Sequence, residues 1–337
     1  MQTYQAFRIH QDENGHHAGL ERLPRPMPKA GEVLVRVAYS SVNYKDALAG
    51  TGRGKILRTF PLVGGIDAAG IVEQSNDRRY RAGDGVLVTG WGLSFDHDGG
   101  YAEWLCVPAP WLVPIPDGLE TRSAMVLGTA GFTAALALHR MHVNGQAPGL
   151  GPILITGASG GVGCVAIAIF ARLGYEVVAV SGKPRLEAWL KGLGASRVLE
   201  RDALADAKRP LEKALWGGAV DNVGGELLAQ ITRTVVPRGN IACVGLAGGA
   251  ALETTVMPFI LRGVSLLGCN SADVPQPLRT ELWEHLAADW RPPDLDALIG
   301  DTLDLEDLPR AFDEMLAGKT HGRLLVRIAR AASERGV

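Results

Sequence analysis

Cysteine is scarce in this sequence, and its spacing excludes the common thiol motifs. The four cysteines of the chain, Cys106, Cys164, Cys243 and Cys269, form no C-x-x-C pair. Residues 1–10 also lack the basic-then-apolar layout of a secretory signal peptide. Unpaired, scattered cysteines in a chain without an export signal are typical of reduced thiols. We therefore expect a cytoplasmic protein.

The sequence also lacks an excess of charge of either sign and a long apolar run. Its 34 basic and 36 acidic residues give a net charge of −2, so no broad basic field would attract nucleic acid or an anionic membrane. The longest apolar candidate, residues 125–138, is interrupted by Gly128 and Gly131 and is shorter than the ~18 residues that span a bilayer. We therefore expect neither nucleic-acid nor membrane partners.

Glycine, in contrast, is abundant. The chain has 43 glycines in 337 residues without a Gly-X-Y period, which excludes collagen and indicates tight turns or close approach to a ligand. The apolar fraction of 47% and the charged fraction of 21% are those of a globular protein. At roughly 150 residues per domain, this length predicts about two domains.

The periodicity of the chain changes along its length. Short β-prone runs at residues 33–37 and 86–89, separated by Gly, Pro and Asp turns, predict a β-rich region up to about residue 120. From about residue 122 to 270, strands alternate with helices, which predicts a parallel sheet covered on both faces. The tail adds an amphipathic helix at residues 305–316 and a strand at 324–328. That last strand has no place in the parallel sheet, and we expect it to return to the first region.

The sharpest local signal is a glycine triplet. Gly157, Gly160 and Gly163 lie between the predicted strand 153–156 and the predicted helix 162–173. A dinucleotide pyrophosphate must approach bare backbone N–H groups at a helix N-terminus, where a Cβ would obstruct it. The strand before and the helix after supply the context that this motif requires. The triplet therefore predicts dinucleotide binding, with a purely structural turn as the alternative.

The end of the second predicted strand indicates which dinucleotide binds. An NAD site usually has an acidic residue there, but this turn contains Ser181, Gly182, Lys183 and Arg185 and no acid. A hydroxyl and two cations suit the 2′-phosphate of NADPH. The alternative is a solvated helix start with two surface cations. Arg197, at the start of the third strand, would either close the same pocket or be a surface arginine.

Several motifs resemble one known family. Residues 41–46 (SVNYKD), 65–70 (GIDAAG), 99–103 (GGYAE) and 128–133 (GTAGFT), together with the glycine loop, resemble the medium-chain dehydrogenases/reductases. The segments NYKDALAG, TGASGGVG and TTVMPFILR are similar to sequences of the zinc-independent quinone-oxidoreductase branch that contains acryloyl-CoA reductase. The similarity extends over nearly the whole chain.

The resemblance implies an α/β fold in which a Rossmann-type doubly wound parallel sheet is inserted into a GroES-like β-barrel domain. We place the first part of the GroES-like catalytic domain at residues 1–121, the NADP-binding domain at 122–295 and the return segment at 296–337. The resemblance also implies a homodimer. The motifs and the resemblance together give the expected cofactor-binding residues, which are Tyr44, Thr129, Gly157, Ser159, Gly160, Gly161, Val162, Ser181, Gly182, Lys183, Arg185, Arg197, Leu246, Ile260 and Ser271.

The residues at the positions of the zinc ligands argue against a metal. Zinc-dependent relatives use a Cys, a His-Glu pair and a third ligand, where this chain has Asn43, Ile66 with Asp67, and Gly128-Thr129. His139 and His142 have helical spacing but no evident third ligand. We therefore expect no metal site.

A reductase without a Lewis acid suits an activated alkene, whose developing charge a few hydrogen-bond donors can stabilise. The resemblance implies hydride transfer from NADPH to the β-carbon of a short α,β-unsaturated acyl thioester of the acryloyl-CoA type. Asn43, Tyr44 and Asp67 are the expected catalytic residues: Tyr44 would contact the cofactor or donate a proton, and Asp67 would orient a neighbour. For Tyr44 the alternative is a packed tyrosine with a satisfied hydroxyl.

Two other functions remain open at this point. One is an NADPH:quinone oxidoreductase or general enone reductase, and the other is a non-catalytic NADPH-binding protein. Arg53, Lys55 and Arg58 would either bind coenzyme A phosphates or form a solvated charge cluster.

Overall fold

The computed structural model describes residues 2–13, 15–204 and 209–328. The chain divides into two compact units. The first contains the described residues up to Thr129, Ala272–Ala287 and the described residues from Ile299 onward, and the second contains those of Ala130–Ser271 and Ala288–Leu298. One unit therefore interrupts the other along the sequence. The domain boundaries predicted at residues 121/122 and 295/296 stay a prediction.

The N-terminal part of the chain is mainly β-structure. Its elements, in chain order, are β1 (Thr3–Asp12), β2 (Gly15–Pro24), β3 (Glu32–Val42), α1 (Tyr44–Gly50), β4 (Leu62–Val63), β5 (Asp67–Ser75), β6 (Gly85–Thr89), β7 (Trp104–Pro108), β8 (Val113–Pro114) and α2 (Thr121–Val143).

The middle of the chain alternates between strands and helices. Its elements are β9 (Ile153–Ile155), α3 (Gly161–Arg172), β10 (Val177–Val180), α4 (Glu187–Gly192), β11 (Arg197–Leu199), β12 (Trp216–Asp221), α5 (Gly225–Thr234), β13 (Val235–Cys243), α6 (Met257–Arg262) and β14 (Ser265–Gly268). The last part contains α7 (Gln276–Ala287), β15 (Ile299–Leu303), α8 (Leu308–Leu316) and β16 (Arg323–Arg327).

The first unit contains two sheets. A three-stranded sheet has the order β2-β1-β4, and a seven-stranded sheet has the order β15-β16-β3-β5-β6-β8, with β7 also paired to β3. Strand β16 lies antiparallel to β3, so that Val326 is opposite Ser40. This pairing confirms that the C-terminal strand returns to the first β-rich region.

Three buried aromatic rings lie in the core of the first unit. The ring of Phe7 contacts Phe312 at 5.7 Å and Tyr101 at 6.4 Å between centroids, both edge-on. Phe7 and Tyr101 come from the N-terminal region and Phe312 from α8, and all three are buried. Burying a large apolar side chain stabilises the fold by about 1.5–3 kcal/mol, so these rings help join the return segment to the N-terminal strands.

In its described residues, the second unit has a six-stranded sheet, in the order β11-β10-β9-β12-β13-β14, with every neighbouring pair parallel. Its inner strands β9 and β10 are apolar and buried along their whole length, as a sheet covered on both faces requires. The order is that of a doubly wound dinucleotide-binding fold, in which the strand order reverses between β9 and β12. Ligands of such sheets bind beyond the carboxyl ends of the strands at this reversal.

One further property concerns membranes. Within the ranges described above, no helix combines the length and the apolar character that are needed to cross a bilayer.

Candidate active site

The predicted glycine loop follows β9 and leads into α3. Gly157 has a positive φ of 56°, a conformation that side chains rarely adopt. A Cβ on Gly163 would lie 2.7 Å from the Cα of Ala158, so the first turn of α3 packs directly on the loop. The first N–H groups of a helix have no partners within the helix and carry its positive dipole end. The loop and helix are therefore suited to an anionic pyrophosphate.

A hydrogen-bond network joins the carboxyl ends of β9 and β12. The Thr156 hydroxyl donates to Asp221 Oδ1 at 2.6 Å and accepts the Asn222 N–H at 2.9 Å. The Asn222 amide donates to the Thr156 carbonyl at 2.7 Å, and the Gly224 N–H donates to Asp221 Oδ2 at 2.7 Å. Burial raises the pKa of Asp221, and the hydrogen bonds partly oppose that increase. The network fixes the turns where the strand order reverses.

A cluster of cations surrounds the end of β10. Ser181 is buried, and its hydroxyl accepts the Lys183 N–H at 3.2 Å. The pKa of Lys183 is lowered by burial and then by the positive charges of Arg185 and Arg201. A Cβ on Gly182 would lie 3.0 Å from Nε of Arg201, so the Arg201 side chain passes close over this turn. We call Ser181, Lys183, Arg185 and Arg201 the cationic turn.

Arg197, which the sequence suggested for the 2′-phosphate pocket, lies away from the cationic turn. It is aligned with Val178 near the start of β10, at the amino end of the sheet, and it forms an ion pair with Glu176 at 3.5 Å. The structure therefore does not bring Arg197 to the cationic turn. Arg201, which the sequence reasoning missed, lies there instead. The available signal was its position two residues after Leu199, just beyond the carboxyl end of β11.

The other predicted cofactor residues of the second unit flank its last strands. Leu246 follows β13, Ile260 lies on α6, and Ser271 follows β14. The side chains of Leu246 and Ile260 are largely exposed. The loop after β13 packs against the loop after β12 through a bridge between Gly224 and Gly249.

In the first unit, Asp67 is the centre of a buried polar cluster. Its Oδ1 accepts the Ser41 N–H at 3.0 Å. Its Oδ2 accepts the Ser41 hydroxyl at 2.8 Å, the Asn43 amide at 3.0 Å and the Thr129 N–H at 2.9 Å. Asp67 has no exposed surface, so its carboxylate holds neighbours in place and does not face solvent.

Gly128 makes this arrangement possible. It has non-helical angles (φ 51°, ψ −154°) inside α2, which kinks there. A Cβ at this position would lie 2.7 Å from Asp67 Oδ2 and 2.8 Å from the Ser41 hydroxyl. Only glycine therefore allows the chain to pass close to the carboxylate here and the Thr129 N–H to point toward it.

A buried guanidinium completes the cluster. Nε of Arg323, in β16, donates to the Val126 carbonyl at 2.8 Å, and Nη2 donates to the Ser41 hydroxyl at 2.6 Å. Nη1 donates to Asn43 Oδ1 at 3.4 Å. The amide of Asn43 therefore has a fixed orientation, with its carbonyl toward Arg323 and its NH2 group toward Asp67. Sequence reasoning missed Arg323, because no local pattern marks a buried charge at the start of an apolar strand.

Asp46 is a second buried carboxylate of this region. Its Oδ2 accepts the Asn43 N–H at 2.9 Å, and its Oδ1 accepts the Ile66 N–H at 2.9 Å. Burial and the nearby Asp67 charge raise its pKa to about 7, against these hydrogen bonds. Together Ser41, Asn43, Asp46, Asp67 and Arg323 form what we call the Asp67 cluster.

Tyr44 differs from its buried neighbours. It is the first residue of α1, directly after Asn43, and its side chain is 46% exposed. Among the described residues, its hydroxyl has no hydrogen-bond partner. Tyr44 thus directly follows a residue of the Asp67 cluster, and its side chain is accessible to a ligand.

The donor set at this place is not that of a zinc site. Asn43 and Asp67 come together, but Ile66 provides no ligand atom in its side chain. Over the parts of the chain with described structure, no three His, Cys, Asp or Glu side chains form a group that could hold a metal. His142 packs elsewhere, with Nε2 2.9 Å from the Tyr175 hydroxyl. Burial, followed by the nearby His139, lowers the pKa of His142.

Comparison with known proteins identifies the family. The sequence model described as "Alcohol dehydrogenase GroES-like domain" matches residues 29–117, and that described as "Zinc-binding dehydrogenase" matches residues 161–288. The chain is 46% identical to acrylyl-CoA reductase AcuI of Ruegeria pomeroyi over 328 residues, which cover 96% of this chain and 99% of that protein. The chain belongs to the medium-chain dehydrogenase/reductase family. The motif resemblance is thereby confirmed.

A further relative and two solved structures are also similar to the chain. The putative quinone oxidoreductase YhfP of Bacillus subtilis is 46% identical over 303 residues, which cover 90% of this chain and 92% of that protein. The crystal structure of the yhdH oxidoreductase from Salmonella enterica in complex with NADP superposes with a TM-score of 0.92 at 46% identity, covering 96% of this chain and all of that one. The structure of B. subtilis yhfP with NAD bound has a TM-score of 0.93 at 41% identity, covering 97% of this chain and all of that one. The GroES-like match and the strand order of the second unit confirm the predicted fold class.

Proposed function

We propose that this medium-chain reductase uses NADPH to reduce the activated C=C bond of a short α,β-unsaturated acyl thioester, of the acryloyl-CoA type. The observation that carries the proposal is the 46% identity to an acrylyl-CoA reductase over nearly the whole of both chains. The cationic turn supports the cofactor, and the exposed Tyr44 side chain, which directly follows Asn43 of the buried polar cluster, supports the chemistry. The predicted acyl thioester reductase is thus the function that the site favours.

The second unit has the features that NADPH requires. The loop residues Gly157, Ser159, Gly160, Gly161 and Val162 would hold the pyrophosphate, because backbone N–H groups and the dipole of α3 both favour an anion. The 2′-phosphate would bind at the cationic turn. Burial, and then the positive charges of Arg185 and Arg201, lower the pKa of Lys183, and a phosphate dianion bound among the three cations would offset their mutual repulsion.

The Asp67 cluster would position the reacting end of the substrate. When bound, NADPH supplies a hydride for the β-carbon of the substrate, and a proton must reach the α-carbon to complete the reduction. The amide of Asn43 already has partners on both sides, in Asp67 and Arg323. Tyr44 is therefore the open donor, and we assign it the hydrogen bond to the thioester oxygen, where negative charge develops. Asn43 and Asp67 hold the turn from which Tyr44 extends.

The reaction is proposed to need no zinc. At the positions where zinc relatives have ligands, this chain has an amide that already has hydrogen-bond partners and an isoleucine. We expect prolonged treatment with a chelator to leave kcat/KM unchanged. Loss of activity on chelation and its recovery with zinc would contradict this assignment.

A substrate panel tests the main proposal. The purified protein and NADPH are mixed with acryloyl-CoA, crotonoyl-CoA, a free enone or a quinone, and the loss of NADPH absorbance gives kcat/KM for each. We expect the highest value for a short enoyl thioester. A preference for the quinone would favour the alternative function, quinone oxidoreductase, which the similarity to YhfP supports. NADPH binding without turnover of any substrate would favour a non-catalytic binding protein.

We also propose that the chain forms a homodimer and acts in the cytoplasm. Strand β14 is the last strand of its sheet. Three apolar side chains in this region are exposed: Leu266 on β14, Leu261 on α6 and Val256 just before α6. A second copy that covers them would remove this apolar surface from water. The four cysteines are free thiols, as a reducing compartment favours. Analytical ultracentrifugation and cell fractionation test these two statements.

A further inference from the structure

Asp46 joins two segments that carry proposed site residues. Its carboxylate accepts the backbone N–H of Asn43 at 2.9 Å and the Asn43 side-chain amide at 3.3 Å. It also accepts the N–H of Ile66 at 2.9 Å, immediately before Asp67. One carboxylate thus connects the turn before α1, which carries Asn43 and Tyr44, to the start of β5.

A helix cap alone does not account for these contacts. The same chain has an ordinary example before α8, where Asp307 accepts the Asp304 N–H at 3.1 Å. Asp307 is partly exposed and forms an ion pair with Arg310 at 3.5 Å. Asp46 is instead almost fully buried beside another carboxylate, where an ionised group is costly. The buried Asp46 carboxylate, whose ionisation costs free energy, holds both Asn43 and Ile66, and this indicates a role beyond helix capping.

We propose that Asp46 is a positioning residue, whose ionised carboxylate fixes the Asn43 turn and thereby directs the Tyr44 hydroxyl toward the substrate. The inference rests on the proposed reductase function and extends it to a residue that does not touch substrate. Ionisation matters because a protonated carboxyl group has one oxygen that donates and can no longer accept an N–H as before. Protonation of Asp46 would therefore weaken its hold on Asn43 or on Ile66.

The charged and titratable groups near Asp46 include Asp67, Tyr101 and Arg323. Asp67, in β5, raises the pKa of Asp46 by charge repulsion, and burial has the larger effect in the same direction. The Tyr101 hydroxyl lies near Asp46, and burial and then the two carboxylates raise the pKa of Tyr101 well above its usual value. Arg323 reaches the group indirectly, through Asn43. With its pKa at about 7, Asp46 would change protonation state near neutral pH.

The test compares Asp46→Asn with the matched cap variant Asp307→Asn. For each protein, kcat and KM are measured with the best substrate of the panel between about pH 5.5 and about pH 8.5, and the Kd for NADPH is measured by fluorescence titration. For the wild type we expect kcat to fall below about pH 7, as Asp46 becomes protonated. For Asp46→Asn we expect kcat to be about tenfold lower at high pH and to lack this acidic limb, with the Kd for NADPH within about twofold of the wild type. Asp307→Asn should keep both kcat and the limb.

Several outcomes would overturn the inference. Equal kcat and an unchanged acidic limb in Asp46→Asn would do so, as would an equal loss in Asp307→Asn. If Asp46→Asn does not fold, Asp46→Glu retains the charge, and the absence of any acidic limb in that variant would contradict the proposal. A wild type that turns over no enoyl substrate would instead contradict the proposed function, which keeps the two failures distinct.

Discussion

The guanidinium of Arg323 and the carboxylate of Asp67 are linked through a single hydroxyl. Ser41 Oγ accepts a hydrogen bond from Arg323 Nη2 at 2.6 Å and donates one to Asp67 Oδ2 at 2.8 Å. Both charged groups are buried. Each charge compensates the other across the hydroxyl, and the link joins the return strand β16 to β3 and β5.

Removing Arg323 should therefore destabilise the protein strongly. Arg323→Met keeps most of the side-chain volume but leaves the Asp67 charge buried without compensation, which costs about 3–5 kcal/mol in comparable cases. Arg310→Met removes an exposed arginine that forms ion pairs with Asp307 and Glu314, and it should cost less than about 1 kcal/mol. Thermal unfolding compares the two variants. Similar melting temperatures would show that the buried link contributes little.

Gly128 offers a second test of the same cluster. Gly128→Ala places a Cβ in a left-handed conformation and within 2.7 Å of Asp67 Oδ2. Gly318 has a similar φ of 69° but nothing within 4 Å of its added Cβ, so Gly318→Ala measures the conformational cost alone, about 1 kcal/mol. We expect Gly128→Ala to lower the melting temperature clearly more than Gly318→Ala. Equal decreases would mean that the cluster adjusts freely around the extra methyl group.

The parallel sheet was largely predictable from the sequence, because its inner strands β9 and β10 are short continuous apolar runs that a glycine follows within two residues. Strand β11 begins at Arg197, as predicted, and β9 ends one residue earlier than predicted, at Ile155. The amphipathic run at residues 305–316 begins with a 3-10 turn, and α8 proper begins at Leu308. The local sequence is sufficient to locate a strand when both of its faces are buried, as in β9 and β10.

The details of the site were less predictable, because they depend on which end of a strand a side chain reaches. Arg197 is the first residue of β11 and Arg201 lies two residues beyond its last, and only the fold shows that Arg201 reaches the cationic turn. Arg323 meets Asn43 across 280 residues of sequence. Such long-range pairs of charged and polar groups leave no trace in local composition.

The exchange of Arg201 for Arg197 can be measured directly. Arg201→Ala removes a cation of the proposed 2′-phosphate site, and charge-assisted hydrogen bonds of about 1.5–3 kcal/mol predict NADPH binding weaker by about tenfold to hundredfold. NADH lacks the 2′-phosphate, and its Kd should change little. Arg197→Ala is the control, since Arg197 pairs with Glu176, and it should affect neither cofactor. Titration of both cofactors with both variants gives the four Kd values. Loss of NADPH affinity in Arg197→Ala alone would restore the original prediction.

Tyr44→Phe separates chemistry from stability. The Tyr44 side chain is half-exposed, and within the described residues its hydroxyl makes no hydrogen bond, so removing the oxygen should leave the melting temperature unchanged. If the hydroxyl stabilises charge on the thioester oxygen, kcat should fall by about tenfold to hundredfold. Tyr80→Phe serves as a control of the opposite kind, because the Tyr80 hydroxyl donates to the Leu112 carbonyl at 2.8 Å and supports the fold. An unchanged kcat for Tyr44→Phe would remove Tyr44 from the mechanism.

The buried Asp46 also predicts how stability depends on pH. Its pKa is raised from 3.8 to about 7 in the folded protein, mainly by burial, so the folded state binds its proton more tightly than the unfolded state does. The resulting stabilisation is complete below the unfolded pKa and is lost as the pH rises through about 7. Asp46→Asn cannot ionise, so its melting temperature relative to that of the wild type should rise between about pH 5 and about pH 8, by an amount that corresponds to a few kcal/mol. Asp307→Asn, at a partly exposed cap, should show no such trend. A constant difference between Asp46→Asn and the wild type across this range would mean that Asp46 keeps an ordinary pKa. If the expected trend is found, the pH range that favours catalysis is the range in which Asp46 stabilises the fold least, because the ionised form of Asp46 is the one that holds Asn43.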